Sequence, residues 1–281
     1  MGSLFIVATP IGNLSDITKR AIDTLKEVDY ILCEDTRNSS VLLNHYDIKN
    51  KLVSYHKFNE KERVDSIISD LKKGKNIALI SDAGTPCIND PGYIIVKEAR
   101  LENIPVFGVG GISALTTAIS VSGLSSDIFT FHGFFPRESK DQKRIIKDLS
   151  NSDVSTHVFY ESPKRIVKSL EILNESFPDL KISVLKELTK LHEKNYYGSI
   201  REVLQSLKID PKSTSGEYVF IIEKEINKKE EISLSIESLL IDIMVKEKVS
   251  LKEAIDILNK RDDNLSKKDI YNASLNLKDI L

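Results

Sequence analysis

A chain of 281 residues, 41% hydrophobic and 29% charged, is too long for one small core and fits about two domains with an appendage. A formal net charge of −2 with a pI near 6.3 excludes a protein that coats nucleic acid through bulk charge, although a local basic face remains open. Two cysteines, Cys33 and Cys87, outside any C-x-x-C spacing, allow at most one disulfide and fit a reducing compartment. The first apolar run, residues 4–8, is too short for a signal-peptide core, and no run reaches membrane-spanning length. A cytoplasmic protein without membrane contact is expected.

In chain order, a strand over 4–8 leads into a loop with Pro10 and Gly12, then a helix near 16–26 with Ile17, Ala21, Ile22 and Leu25 on one face. A strand over 29–33, a helix over 36–45 and a strand over 51–54 follow. The helix predicted over 59–73 starts with a capping pair, Asn59 and Glu62, carries Val64, Ile67, Ile68 and Leu71 at helical spacing, and ends at Gly74. Residues 77–80 form an unbroken apolar run, the mark of a strand buried on both faces. The loop 81–92 holds Gly84, Pro86, Pro91 and Gly92, which stop regular structure. Asp90 as N-cap and Pro91 at the first helical position then mark a helix start. A strand over 105–109 and a helix over 112–121 complete a right-handed parallel βαβ domain at 1–115.

The second half, 116–228, repeats the style with changes. Strands are predicted over 128–132, 156–160, 181–186, 195–198 and 217–223, with helices over 140–149, 163–176 and 200–207. Strands without long helices between them predict a mixed sheet. A Lys/Glu-rich linker at 226–232 precedes a helical tail, 233–281, with patterns over 234–247, 250–260 and 266–277. Ser250 with Glu253 and Ser266 with Asp269 are capping signals around a polar turn at 261–264. That layout suits a helix-turn-helix and equally a plain three-helix tail.

Ligands of an open parallel sheet bind where loops leave the carboxyl ends of its strands, which points to the loop 81–92. Asp82, directly after the strand, either grips hydroxyls or positive charge or caps its own turn. Gly108-Val-Gly110-Gly-Ile-Ser113 approaches a dinucleotide fingerprint, but Ser113 stands for its third glycine and Asp127 precedes the next strand instead of ending it. No P-loop occurs, and His45, His56, His132, His157 and His192 never stand at metal-ligand spacing, so no metal is expected. Cys87 lacks a neighbouring histidine and makes a poor nucleophile. Two further runs, 159–165 and 186–193, end strands of the second half with charged and aromatic groups.

Five runs carry a resemblance over essentially the whole chain. Ala8-Thr-Pro-Ile-Gly-Asn-Leu-Ser-Asp-Ile-Thr18, Cys33-Glu-Asp-Thr-Arg37, Ser81-Asp-Ala-Gly-Thr-Pro-Cys-Ile-Asn-Asp-Pro-Gly92, Phe159-Tyr-Glu-Ser-Pro163 and Glu187-Leu-Thr-Lys190 resemble the signature runs of the ribosomal RNA small subunit methyltransferase I family, a branch of the tetrapyrrole methylase superfamily. The resemblance implies two α/β domains with an S-adenosylmethionine cleft between them, usually in a homodimer, and methylation of the ribose 2′-hydroxyl of cytidine 1402 of 16S ribosomal RNA in the small ribosomal subunit. It places Pro10, Asp82, Gly84, Thr85, Ser113, Ala114, Glu161 and Leu188 on the cofactor. Two departures stand out: Gly110-Gly-Ile-Ser-Ala114 replaces the usual Pro-Gly-Pro-Ser-Ala, leaving that loop less preorganised, and Ser215-Gly-Glu217 replaces Lys-Gly-Glu.

Methyl transfer from a sulfonium needs alignment and removal of one proton. Glu161 is the expected base; alternatively it bonds backbone or cofactor hydroxyls while water takes the proton. Arg37 and the cluster Arg137, Lys140, Lys143, Arg144 and Lys147 are expected to meet RNA phosphates, against the plainer reading of a solvated helix face. A methylase of a tetrapyrrole or corrin precursor and a non-catalytic ribosome-associated RNA-binding protein are the alternative functions.

Overall fold

The computed structural model describes residues 1–225, 235–261 and 265–278. The chain divides into two compact units, Met1–Ile226 and Asn227–Leu281.

Five short, largely apolar strands build the first sheet of the larger unit: β1 (Leu4–Val7), β2 (Tyr30–Cys33), β3 (Leu52–Ser54), β4 (Ile77–Leu79) and β5 (Val106–Val109). They lie in the order β3-β2-β4-β1-β5, all parallel. The central strands are buried because helices cover both faces: α3 (Glu60–Lys72) and α4 (Tyr93–Leu101) contribute Leu71, Ile95 and Ala99 to one cluster, and α1 (Lys19–Glu27) and α2 (Thr36–His45) contribute Ala21, Leu25 and Leu43 to the other.

The second sheet is mixed, as its short connections predict, in the order β6-β7-β10-β8-β9. β6 (Phe129–Phe134) runs parallel to β7 (Thr156–Glu161), while β10 (Tyr218–Glu223) is antiparallel to both β7 and β8 (Lys181–Lys186), and β9 (Lys194–Ser199) forms a hairpin with β8. α6 (Ser139–Asn151), α7 (Ile166–Ser176) and α8 (Ile200–Ile209) bury Leu149, Leu170, Leu173, Val203 and Leu207 in one core with Phe159 and Phe220. α5 (Ala114–Val121), although it follows a strand of the first sheet, packs Ala118 and Ile119 against Val158, Leu185, Val219 and Ile221 of the second. Ile11 from the loop after β1 joins the same cluster, so apolar burial ties the two sheets together.

Two predicted caps are not formed. Asn59 accepts from the His56 N–H and donates to the Ser54 carbonyl, and so does not cap α3 with Glu62. Asp90 does not cap α4 either: Gly92 is the N-cap, at φ 133°, and the helix begins two residues after Pro91. Helices α1, α5 and α7 also begin later than their apolar patterns, at Lys19, Ala114 and Ile166, which lengthens the preceding loops.

In the smaller unit, α9 (Ile236–Glu247), α10 (Leu251–Arg261) and α11 (Lys267–Lys278) bury Leu240, Ile243, Ala254, Leu258, Ile270, Ala273 and Leu277. Ser250 and Glu253 form a reciprocal capping box, and the Asp269 N–H donates to Ser266 Oγ. The predicted linker at 226–232 and most of the polar turn at 261–264 lie outside the described residues. Among the described residues no helix is long and apolar enough to cross a membrane.

Candidate active site

Parallel pairing puts the carboxyl ends of β1, β2, β4 and β5 on one edge of the first sheet, and their loops diverge there. The loops after β1 and β4 are tied by a short antiparallel bridge: the Thr9 N–H donates to the Gly84 carbonyl at 2.8 Å and the Gly84 N–H to the Thr9 carbonyl at 3.1 Å. Gly84 adopts φ 77°, where a side chain is disfavoured. Facing this edge, β7, β8 and β10 of the second sheet supply Tyr160, Glu161, Leu185 and Tyr218, and the turn after β8 supplies Leu188.

Together these elements enclose a cleft of about 400 Å³, a volume that suits a nucleoside-sized ligand. Asp82, Gly84, Thr85, Ser113, Ala114, Glu161 and Leu188, seven of the eight expected cofactor positions, line it. Pro10 lines a neighbouring depression that shares Ile11, Asp82, Ala83 and Glu217 with the cleft. Ile11, Leu185, Leu188 and Val219 form an apolar wall, while the loop after β4 supplies the polar groups Asp82, Thr85, Asn89 and Asp90 and the second sheet supplies Tyr160, Glu161, Glu217 and Tyr218. A lining of this kind fits S-adenosylmethionine: apolar surface for a purine, and carboxylates for hydroxyls and a sulfonium. At the altered loop, a Cβ on Gly111 would come within 2.9 Å of Ala8 Cβ, so this glycine is required, whereas Gly110 faces open space. Ile112, at the position of the second proline, packs partly buried against the apolar cluster between the sheets.

The carboxylates differ in what holds them. Asp82 accepts from the Asp35 N–H at 3.3 Å and from Asn38 Nδ2 at 3.0 Å, joining the loop after β4 to the one after β2 and not capping its own turn. Glu161 is fully buried; Oε1 accepts from the Ser162 N–H at 2.7 Å, Oε2 accepts from Ser169 Oγ at 2.6 Å, and Arg165 Nη1 lies 3.4 Å from Oε1. Both oxygens already have partners within the protein, an arrangement that suits an anchor of α7, the alternative to a base. Glu217 is paired with Lys190 at 3.0 Å. Asp90, missed as a site residue because it looked like a helix cap, lines the cleft half-buried and accepts no hydrogen bond among the described residues. Burial, with Glu34 and Asp82 nearby, pushes its carboxyl up to about 6. Burial pushes the Cys87 thiol up to about 11, consistent with its dismissal as a nucleophile.

The basic positions lie on the outer surface. Lys140, Lys143, Arg144 and Lys147 are exposed on α6, whose other face buries Leu149, and Arg137 is exposed just before it. Gln142 Nε2 holds the start of α6 to the Pro136 carbonyl at 3.0 Å, close in sequence to Phe134 in the cleft. Arg37, exposed, forms a bidentate pair with Asp35 at 3.1 and 2.6 Å beside the Asp82 contact. The one histidine pair, unforeseen in sequence, is structural: His157 Nε2 must donate to the Val154 carbonyl, leaving Nδ1 to accept from His132 Nε2 at 3.0 Å.

Residues 3–204 match the family model described as Tetrapyrrole (Corrin/Porphyrin) Methylases. The chain is 41% identical, over 99% of its own length and 97% of the relative's, to the ribosomal RNA small subunit methyltransferase I of Buchnera aphidicola subsp. Schizaphis graminum. It is 45% identical to the enzyme of that name from Thermotoga maritima, over 79% of this chain and 98% of the relative. Among solved structures, diphthine synthase aligns with a TM-score of 0.61 at 16% identity, over 79% of this chain and 90% of that one. The uroporphyrin-III C-methyl transferase of Thermus thermophilus complexed with S-adenyl homocysteine aligns with a TM-score of 0.54 at 17% identity, over 79% and 98%.

Proposed function

Because the chain belongs to the ribosomal RNA small subunit methyltransferase I family, within the tetrapyrrole methylases, we propose that it transfers the methyl group of S-adenosylmethionine to the small-subunit ribosomal RNA, at the ribose 2′-hydroxyl of cytidine 1402. The observation that carries this reading is the convergence of four of the five signature runs on one cleft between two sheets, with the fifth tied to it through the Asp35 N–H to Asp82. S-adenosylmethionine supplies an already activated methyl group, so the protein has mainly to align an oxygen with it and accept a proton.

Asp82 and the backbone of Gly84 and Thr85 hold the polar part of the cofactor, and Leu188 with Ile11 covers its purine. Ser113 and Ala114, at the start of α5, close the floor. Glu161 fixes the second wall through Ser162, Arg165 and Ser169. The exposed face of α6 and Arg37 receive phosphates, and the three-helix unit guides the particle. The enzyme works as a homodimer in the cytoplasm, where ribosomal subunits are its substrate. The larger unit divides into lobes near residue 115, each contributing one wall. A tetrapyrrole substrate is the weaker reading, since the uroporphyrin-III methyltransferases of known structure are only 16–18% identical to this chain, whereas the ribosomal RNA methyltransferases named above are 41–45% identical. Incubation with labelled S-adenosylmethionine and either unmodified small subunits or tetrapyrrole precursors separates the two readings by where the label appears.

A further inference from the structure

We propose that Asp90 is the group that accepts the proton of the ribose 2′-hydroxyl during methyl transfer, an inference that rests on the function proposed above. Four carboxylates line the cleft: Asp82, Asp90, Glu161 and Glu217. Three already have partners within the protein, Asp82 in Asp35 and Asn38, Glu161 in Ser162, Ser169 and Arg165, and Glu217 in Lys190. Asp90 accepts no hydrogen bond among the described residues, so its lone pairs are available to an incoming donor.

The backbone that presents it is held in an unusual state. Cys87 and Asn89 sit at φ 70° and 69°, a region that costs a non-glycine residue free energy and persists only where the surroundings enforce it. Gly92 follows at φ 133°, and a Cβ there would lie 2.6 Å from both Cys87 Sγ and a methyl of Leu79. Asn89 Oδ1 lies 2.7 Å from where a Cβ on Gly133 would stand, so the loop is braced against β6 of the opposite sheet. This turn takes Asp90 off the helix terminus and into the cleft, opposite Phe134 and Tyr160.

The other titratable groups around it do not compete. Tyr160 is pushed up to about 12 by burial and by Asp90 itself, and stays protonated. Cys87, pushed up to about 11, stays a thiol. Burial and Asp82 raise Glu34, and burial, with Glu34 and Asp82 adding to it, raises Asp90 to about 6. An acceptor in that range is ionised at neutral pH and a stronger base than an ordinary carboxylate.

The step balances with the groups named. As the ribose oxygen forms its bond to the methyl carbon, the carbon–sulfur bond breaks, sulfur keeps the electron pair as a neutral thioether, and the hydroxyl proton passes to the Asp90 carboxylate. Positive charge would otherwise build on that oxygen, so an acceptor is needed late in the step.

The test uses the full chain and small ribosomal subunits lacking the modification. Asp90→Asn is expected to lower kcat by roughly a hundredfold or more, to keep calorimetric affinity for uncharged S-adenosylhomocysteine within about twofold, and to remove a carboxyl ¹³C resonance titrating near pH 6 in the ligand-free protein. Asp90→Glu, which keeps a carboxylate, should retain an acidic limb in kcat against pH at a reduced rate, and decides the matter if the Asn variant fails to fold. Turnover of Asp90→Asn within about threefold of wild type, or an acidic limb unchanged in that variant, overturns the inference while leaving the enzyme's function standing. If wild type transfers no methyl to the particle, the proposed function falls and this role falls with it.

Discussion

Replacing Glu161 with Gln separates an anchor from a base. The carboxylate is fully buried, accepts from the Ser162 N–H and Ser169 Oγ, and faces Arg165 at 3.4 Å. Arg165 also donates to the carbonyls of Phe135 at 3.1 Å and Pro136 at 2.7 Å, so the pair links the end of β6, the end of β7 and the start of α7. An amide offers one acceptor where the carboxylate offers two and carries no charge for Arg165. Breaking a buried pair costs about 3–5 kcal/mol. Arg165 keeps its two carbonyl partners and a side chain 23% exposed, which reduces the expected loss to about 2–3 kcal/mol. For a unit of this size that is a fall in Tm of roughly 5–10 °C, read by calorimetry on the main transition. Adding Arg165→Met should cost less than the sum of the two single changes, because the second removes a cation the first left unpaired. A Glu161→Gln protein with wild-type Tm and turnover lowered a hundredfold would refute the anchor and restore Glu161 as base.

Two further outcomes are expected. Lys143 and Arg144 both changed to Gln should raise KM for the ribosomal particle and flatten its dependence on salt without altering cofactor affinity, since each phosphate contact contributes to the salt slope; an identical slope would remove α6 from the RNA surface. The His132–His157 pair should make the protein acid-sensitive. Burial and His132 hold His157 well below its ordinary value, with Lys224 adding to the effect, and burial lowers His132 despite the opposing charge of Asp148. The unfolded chain therefore binds more protons than the folded one below about pH 6.5, and stability is lost as pH falls through that window. Urea midpoints between pH 7.5 and 5 should drop less in His157→Gln than in wild type, and equal slopes would count against this assignment.

Most of the architecture could be read from apolar runs, because a strand covered on both faces has little choice of residue: residues 77–80 and 4–8 announce the centre of a parallel sheet. The short spacing after 181 likewise predicts the mixed sheet, in which β8 and β9 pair antiparallel. Local rules failed where the site imposes its own geometry. Asp90 followed by Pro91 satisfies every criterion for a helix start, yet Gly92 takes the cap and turns the carboxylate into the cleft. Asn59 departs from the capping pattern for a related reason, since its side chain serves the backbone of the preceding turn. The commitment of Glu161 depends on Ser169, eight residues on, and on Arg165, whose partners follow β6. The histidine pair depends on the register of β6 against β7, which is irregular between Phe131 and Phe134, and no spacing within either strand encodes it. Gly92 and Gly133, both at positive φ, were the sequence signals available for these departures.

The most direct test of the central claim is the chemical identity of the methylated product. Small ribosomal subunits lacking the modification, incubated with the full chain and S-adenosylmethionine labelled in its methyl group, should be digested to nucleosides and resolved by mass spectrometry. Label recovered as 2′-O-methylcytidine is the expected result. Label on a base, on another nucleoside or on no RNA at all would contradict the account.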